Sequence, residues 1–235
     1  MQAIILAGGF GTRLQTAVKE VPKPLAPIFG KPFLFWLITY LQKQGVTHFI
    51  FSLGYLSSQV EQFLTEDFPK LNYKCFVEKE PLGTGGAIKF CLSAATQKDI
   101  LIFNGDTFFN LNLKSFVDAY HNANADCSIA LTPMQDFDRY GSVTIDEHNI
   151  IHQFNEKQYC KEGFINTGIN IFNTDIFLEK TAHLQQNFSY EKDFLEPNMK
   201  SLKVTGYIAA EYFIDIGIPE DYYKADRELP LIVNG

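Results

Sequence analysis

None of the four cysteines, Cys75, Cys91, Cys127 and Cys160, pairs at CxxC spacing, which excludes the common zinc and thiol-redox motifs. Most sit in apolar stretches and read as buried, reduced thiols. Positive charge is in deficit: 20 Lys and Arg against 27 Asp and Glu give a formal charge of −7. Bulk electrostatics therefore argues against nucleic acid or an anionic membrane as a partner, while a few local cations can still hold a small anionic ligand. No apolar run reaches membrane-spanning length. Met1-Gln2-Ala3-Ile4-Ile5 has neither the basic segment nor the apolar core of a signal peptide, so the expected location is the cytoplasm. There is no low-complexity linker and no internal repeat. Phenylalanine, by contrast, is abundant, with 22 copies among 235 residues, which points to a core of large rings and enough chain to build it.

The first half alternates strand-like and helix-like segments. Gln2–Leu6, His48–Leu53, Tyr73–Val77, Ile100–Phe103 and Ser128–Leu131 read as strands. Phe33–Gln44, Ser58–Leu64, Gly86–Ala95 and Leu113–Asn122 read as helices, the first stopped by Gly45. This order implies right-handed βαβ crossovers and a mostly parallel sheet, with ligands bound beyond the carboxyl ends of its strands. The second half is strand-rich. Ser142–Ile145 and Ile150–Asn155 form a hairpin pattern, and Phe164–Phe172, Val204–Ile208 and Phe213–Ile216 follow as strands before a helix opened by Pro219. A single domain is expected over 1–235.

Two phosphate-loop patterns are absent. After Gly9-Phe10-Gly11 the dinucleotide fingerprint requires a glycine where Leu14 stands, and Gly11-Thr12-Arg13 is not the Gly-Lys-Ser/Thr of a P-loop. What is present is Leu6–Leu14, with Gly8, Gly9 and Gly11 directly after the first strand and Arg13 among them. Exposed amides of such a turn form an anion nest, and an arginine fork suits phosphate. Pro22-Lys23-Pro24 presents a second cation, Lys23, from a stiff loop.

Together with Gly30-Lys31-Pro32, these segments resemble the signature of the sugar nucleotidyltransferases. Further matches follow in order: Pro81–Ala87, Asn104-Gly105-Asp106, Tyr140–Val143, Asn166-Thr167-Gly168 and Asp215–Tyr222. Pro32-Phe33-Leu34 and Tyr190–Phe194 are most similar to the short bacterial guanylyltransferases acting on D-glycero-α-D-manno-heptose 1-phosphate, with mannose 1-phosphate guanylyltransferases as near relatives.

The resemblance implies an α/β, Rossmann-like nucleotidyltransferase fold, its mostly parallel central sheet flanked by helices, with a nucleotide-binding part over about 1–125 and a small, strand-rich sugar-binding part over about 126–235. It implies transfer of a nucleoside monophosphate from GTP to a sugar 1-phosphate, releasing pyrophosphate and forming a GDP-sugar for capsule or lipopolysaccharide synthesis. Arg13, Lys23 and Asp106 would be catalytic. Leu6, Ala7, Gly8, Gly9, Gly11, Thr12, Pro81, Gly83 and Thr84 would hold the nucleotide. Gly141, Glu156, Lys157, Asn166 and Thr167 would hold the sugar, with Lys157 facing either the sugar phosphate or solvent. Asp106 and Asp215 would carry Mg²⁺, with Mn²⁺ as a substitute. Asn104-Gly105 is also a strong hairpin signal, so Asp106 has a second reading as a turn residue. Glu191 and Lys192 either serve the site or cap the helix after Ser189.

Glu78, just before Glu80-Pro81-Leu82-Gly83-Thr84, stands where the uridylyl and thymidylyl relatives resemble one another in carrying a glutamine, so the resemblance implies that it meets the base. Guanine presents N1–H and N2–H₂ as adjacent donors, which suits a carboxylate that accepts two hydrogen bonds and donates none. Glu80 is the alternative if the register differs by two. Many relatives carry tryptophan where Phe213 stands, a difference in packing rather than chemistry. No hexapeptide repeat follows Asp215, so a monomer or small homo-oligomer without acyltransferase activity is expected. The rival readings are a non-catalytic nucleotide-sugar sensor, disfavoured by the presence of Asp106, Asp215, Arg13 and Lys23, a uridylyl- or thymidylyltransferase, and an oxidoreductase, disfavoured by Leu14.

Overall fold

The computed structural model describes residues 1–9, 14, 18 and 21–234; Gly11, Thr12 and Arg13 lie outside the described residues. The first strand, β1 (Gln2–Ala7), is followed by a short hairpin, β2 (Pro27–Ile28) with β3 (Lys31–Pro32), and by α1 (Phe33–Lys43). Alternation continues through β4 (His48–Leu53), α2 (Ser57–Asp67), β5 (Tyr73–Val77), α3 (Gly83–Cys91) and β6 (Asp99–Asn104). Then come β7 (Thr107–Phe109), α4 (Leu113–Asn122), β8 (Cys127–Phe137), the hairpin β9 (Ser142–Ile145) and β10 (Ile151–Phe154), β11 (Cys160–Asn173) and α5 (Thr174–Lys180). A π-helical turn over Tyr190–Leu195 runs into α6 (Glu196–Asn198), followed by β12 (Val204–Ile208), β13 (Phe213–Asp215) and α7 (Pro219–Asn234).

The local reasons match the sequence. Gly45 adopts φ +86° just past α1, the left-handed conformation that ends helices. At the start of α4, the Asn112 side chain accepts from the Ser115 amide at 2.9 Å. β1 is apolar on both faces because helices cover both sides of the sheet. Ile5, Phe51 and Phe103 face one core, shared with α1, α2, α4 and α7. Ile4, Ile50 and Ile102 face the other, shared with α3, α5 and the π-helical turn.

The sheet is mixed. β5, β4, β1 and β6 lie side by side and parallel, and their register brings Leu6 opposite Asn104 and Ala7 opposite Leu53. The carboxyl ends of four strands thus meet at one edge, where ligands of such sheets bind. Beyond β6 the order is β11, β8 and β12, with β11 antiparallel to both β6 and β8. The segment expected as a fifth strand at Ser128–Leu131 is therefore not the neighbour of β6; β11 sits between them. Local periodicity sets where strands lie but not the order in which they pair.

Several boundaries shift: β8 and β11 run longer than the expected 128–131 and 164–172, and α2 longer than 58–64. The helix expected from Gly86 begins at Gly83, and its last turn, Leu92–Ala94, tightens to 3₁₀ geometry. The hairpin reading of Asn104-Gly105 fails, because β7 pairs with β13 and not with β6. Among the described residues, no helix is long and apolar enough to cross a membrane. The four cysteines are free, as expected; Cys91 and Cys127 are buried, and Cys75 and Cys160 are partly so.

Candidate active site

Pairing between β7 and β13 places Asp215 opposite Thr107, one residue from Asp106, and the Ile216 amide donates to the Asp106 carbonyl at 3.1 Å. Two carboxylates from residues 109 apart in sequence are thereby set side by side (Asp106 and Asp215). Lys23, at the start of a 3₁₀ turn over Lys23–Leu25, places Nζ between them, 2.6 Å from Asp106 Oδ2 and 3.2 Å from Asp215 Oδ1. Asp215 Oδ1 also accepts from the Gly217 amide at 2.8 Å. Burial works against the Lys23 ammonium, but the two carboxylates outweigh it and hold its pKa above the usual lysine value. Desolvation, with the like charge of Asp215, pushes the Asp106 carboxyl up against the pull of Lys23.

This triad forms the floor of a cleft of about 880 Å³. One wall is the end of β1 and its loop, Leu6, Ala7, Gly8 and Gly9. The segment after β5 and the start of α3, Glu78, Glu80, Pro81, Gly83 and Thr84, also line the cleft, with Glu78 close beside Gly8. Every nucleotide-site residue expected from the sequence and described in the structure therefore lines this one cleft. Glu78 is fixed from two sides: Ser52 Oγ donates to Oε1 at 2.8 Å and the Leu82 amide to Oε2 at 3.0 Å. A carboxylate has about four acceptor sites, so this leaves acceptor capacity facing the cleft.

Gly85 and Gly86 pack this helix start against a neighbouring segment. A Cβ on Gly86 would stand 2.0 Å from the Gln186 carbonyl oxygen, and the Gly85 amide donates to the Phe188 carbonyl at 3.0 Å. Thr84 is not the helix cap, a place taken by Leu82; its hydroxyl accepts from the Tyr190 amide at 3.0 Å. The start of α3 is thus bound to the segment carrying the π-helical turn.

A second cavity, of about 180 Å³, meets the first at Asn104. Of the expected sugar residues, Gly141, Lys157 and Asn166 line it. The Thr167 hydroxyl instead donates to the Ala130 carbonyl at 2.8 Å in the interior, and Glu156 is exposed and paired with Lys192 Nζ at 3.1 Å. Gly168 has φ +82°, and a Cβ there would stand 2.3 Å from Asn104 Nδ2, so glycine is what lets this strand approach Asn104. Asn104 and Tyr140 join the cavity wall without having been assigned to it from the sequence, and so does Glu191, for which a site role was one of two readings. Asn104 and Tyr140 stood within the quoted motifs. Phe213 packs edge-on against Phe109 and Tyr140, with centroids 6.2 and 5.9 Å away, consistent with a packing role.

No cluster of three or more His, Cys, Asp or Glu suited to a metal occurs among the described residues. Asp106 and Asp215 offer two hard oxygen donors. That set fits a magnesium ion that keeps several waters and takes further oxygens from a polyphosphate, and it does not fit a closed zinc site.

A model of the family described as Nucleotidyl transferase matches residues 2–230. The chain is 44% identical over 229 residues to a D-glycero-alpha-D-manno-heptose 1-phosphate guanylyltransferase of Aneurinibacillus thermoaerophilus, covering 97% of this chain and 98% of that one. It is 45% identical over 223 residues to the protein of the same description from Campylobacter jejuni subsp. jejuni serotype O:2, covering 95% and 97%. Among solved structures it is similar to HddC from Yersinia pseudotuberculosis, at TM-score 0.88 and 38% identity over 97% of this chain and 98% of that one. It is similar to the same protein complexed with GMP-PN at TM-score 0.85 and 37% identity, with the same coverage.

Proposed function

The chain belongs to the nucleotidyl transferase family, and from that premise we propose that it is a guanylyltransferase that transfers GMP from GTP to D-glycero-α-D-manno-heptose 1-phosphate. The products are pyrophosphate and a GDP-heptose of the kind consumed in surface polysaccharide synthesis. The observation that carries this reading is the Lys23–Asp106–Asp215 triad at the floor of a nucleotide-sized cleft that opens, at Asn104, into a smaller polar cavity. The full-length similarity to two heptose 1-phosphate guanylyltransferases supports the choice of base and sugar.

In this reading a phosphate oxygen of the sugar 1-phosphate attacks the α-phosphorus of GTP in line. The bond between the α-phosphorus and the bridging oxygen breaks, and pyrophosphate leaves with that electron pair. No covalent enzyme intermediate is required, so the chain's work is to position two anions and offset their charge. The loop after β1 and the start of α3 hold the nucleotide between them, with backbone amides near the phosphates. Arg13 and Lys23 supply positive charge, and Glu78 accepts from the guanine edge. Gly141, Lys157 and Asn166 orient the sugar phosphate. Asp106 and Asp215 would hold Mg²⁺, or Mn²⁺ in its place. The ion supplies Lewis-acid neutralisation of charge on the reacting phosphates. The protein works in the cytoplasm as a monomer or small homo-oligomer on two soluble substrates. Pyrophosphate release measured with GTP and a panel of sugar 1-phosphates, mannose 1-phosphate and glucose 1-phosphate among them, tests the reading. The heptose should give the highest kcat/KM; equal or better turnover of a hexose 1-phosphate would reassign the sugar.

A further inference from the structure

The second cavity contains a carboxylate that the reaction outlined above does not use. Glu191 lies on the π-helical turn Tyr190–Leu195, whose interior face, Tyr190, Phe194 and Leu195, is buried. The turn is capped by other groups: Ser189 Oγ accepts from the Lys192 amide at 3.1 Å, and Asp193 Oδ2 accepts from the Ser189 amide at 2.6 Å. The capping reading of Glu191 is thereby removed. Its side chain lines the cavity instead, with Oε2 3.5 Å from Asn166 Nδ2, at the outer limit of a hydrogen bond. Desolvation, with the nearby Glu196, pushes its carboxyl above the usual range, against the pull of Asn166, Lys192 and Lys157.

Two neighbouring amide groups are already engaged. Asn166 Oδ1 accepts from the Gly168 amide at 2.9 Å, and Asn155 Nδ2 faces Ser142 and Thr144 oxygens at 3.1 Å. What the cavity has to spare is the acceptor capacity of Glu191. A half-buried carboxylate with one long contact is costly unless donors reach it. Vicinal hydroxyls of a sugar are such donors, since one carboxylate accepts two side by side. A sugar bearing its own carboxylate would meet like charge there. The turn is also held in place from the nucleotide side, through the bond from the Tyr190 amide to Thr84 Oγ1.

We infer that Glu191 is a specificity-determining residue of the acceptor site: its carboxylate accepts hydrogen bonds from hydroxyls of an uncharged sugar 1-phosphate and excludes sugars with an acidic group on the ring. This rests on the nucleotidyltransferase reading given above.

The test uses the full chain with saturating GTP and compares the parent with Glu191→Gln and Glu191→Asp. Neutral sugar 1-phosphates are assayed beside glucuronic acid 1-phosphate. Glu191→Gln should raise KM for the neutral sugar phosphate about 10- to 100-fold, the range for a hydrogen bond to a charged group. KM for GTP and the thermal midpoint should stay unchanged, and relative turnover of the uronic acid substrate should rise. Glu191→Asp, which keeps the charge, should fall between parent and Glu191→Gln. A parent that makes nucleotide sugar while Glu191→Gln leaves the acceptor KM and the neutral-to-acidic ratio unmoved overturns the inference and leaves the function standing. A parent inactive with every sugar 1-phosphate overturns both. If Glu191→Gln melts early, Glu191→Asp decides: loss of GTP and sugar binding together marks a structural residue and also overturns the inference.

Discussion

Glu78 shows how one side chain can serve two ends. It joins the end of β4, through Ser52, to the loop before α3, through the Leu82 amide. The same carboxylate faces the cleft where a base would lie. Glu78→Gln should lower the preference for GTP over ATP, UTP and dTTP by about 2–3 kcal/mol, since one oxygen becomes a donor facing guanine donors. kcat/KM for the four triphosphates separates the roles: an equal fall for all would assign Glu78 to loop support alone. Asp106→Asn and Asp215→Asn should each cut kcat on the order of 100-fold or more while the fold persists, and excess chelator should stop the parent. Full turnover in chelator would remove the metal from the account. Asp106, Asp215 and Lys23 were picked out because each stands in a motif that carries the family resemblance, and Glu78 because it stands just before one. The pairing of Lys23 with both aspartates could not be read from the sequence, because it depends on β7 meeting β13. Glu191 could be noticed but not assigned, because Asn166 lies 25 residues away on another element.

At the scale of elements, the first half was legible nearly strand by strand. An apolar run that is buried on both faces, bounded by glycine or proline, has few other ways to fold. The reversed strand β11 was not legible as an insertion between β6 and β8, since pairing order leaves no mark in local periodicity. Two glycines of α3 also have a packing role that the sequence did not reveal: Gly85 and Gly86 are where this helix touches the 186–190 segment. Gly86→Ala should destabilise by roughly 1–3 kcal/mol, because the added methyl group meets a backbone carbonyl that cannot swing aside. Urea unfolding measures this. A neutral or stabilising result, as expected from helix propensity alone, would mean that the contact is slack.

For the molecule as a whole, the decisive feature is the meeting of two cavities at Asn104, beside the Lys23–Asp106–Asp215 triad. The parallel half of the sheet presents its strand ends to the larger cleft, and the hairpin β9–β10 with β11 walls the smaller one. An ion pair from Arg139 to Asp221, at 2.8 Å, fastens the loop before β9 to the first turn of α7, two residues past Pro219. The most direct measurement is a reaction of the purified protein with GTP, Mg²⁺ and D-glycero-α-D-manno-heptose 1-phosphate, with products identified by mass. The account predicts GDP-heptose and pyrophosphate in equal amounts, formed only when both substrates are present. GTP hydrolysis without sugar transfer, or no reaction with any sugar 1-phosphate and any triphosphate, would contradict it.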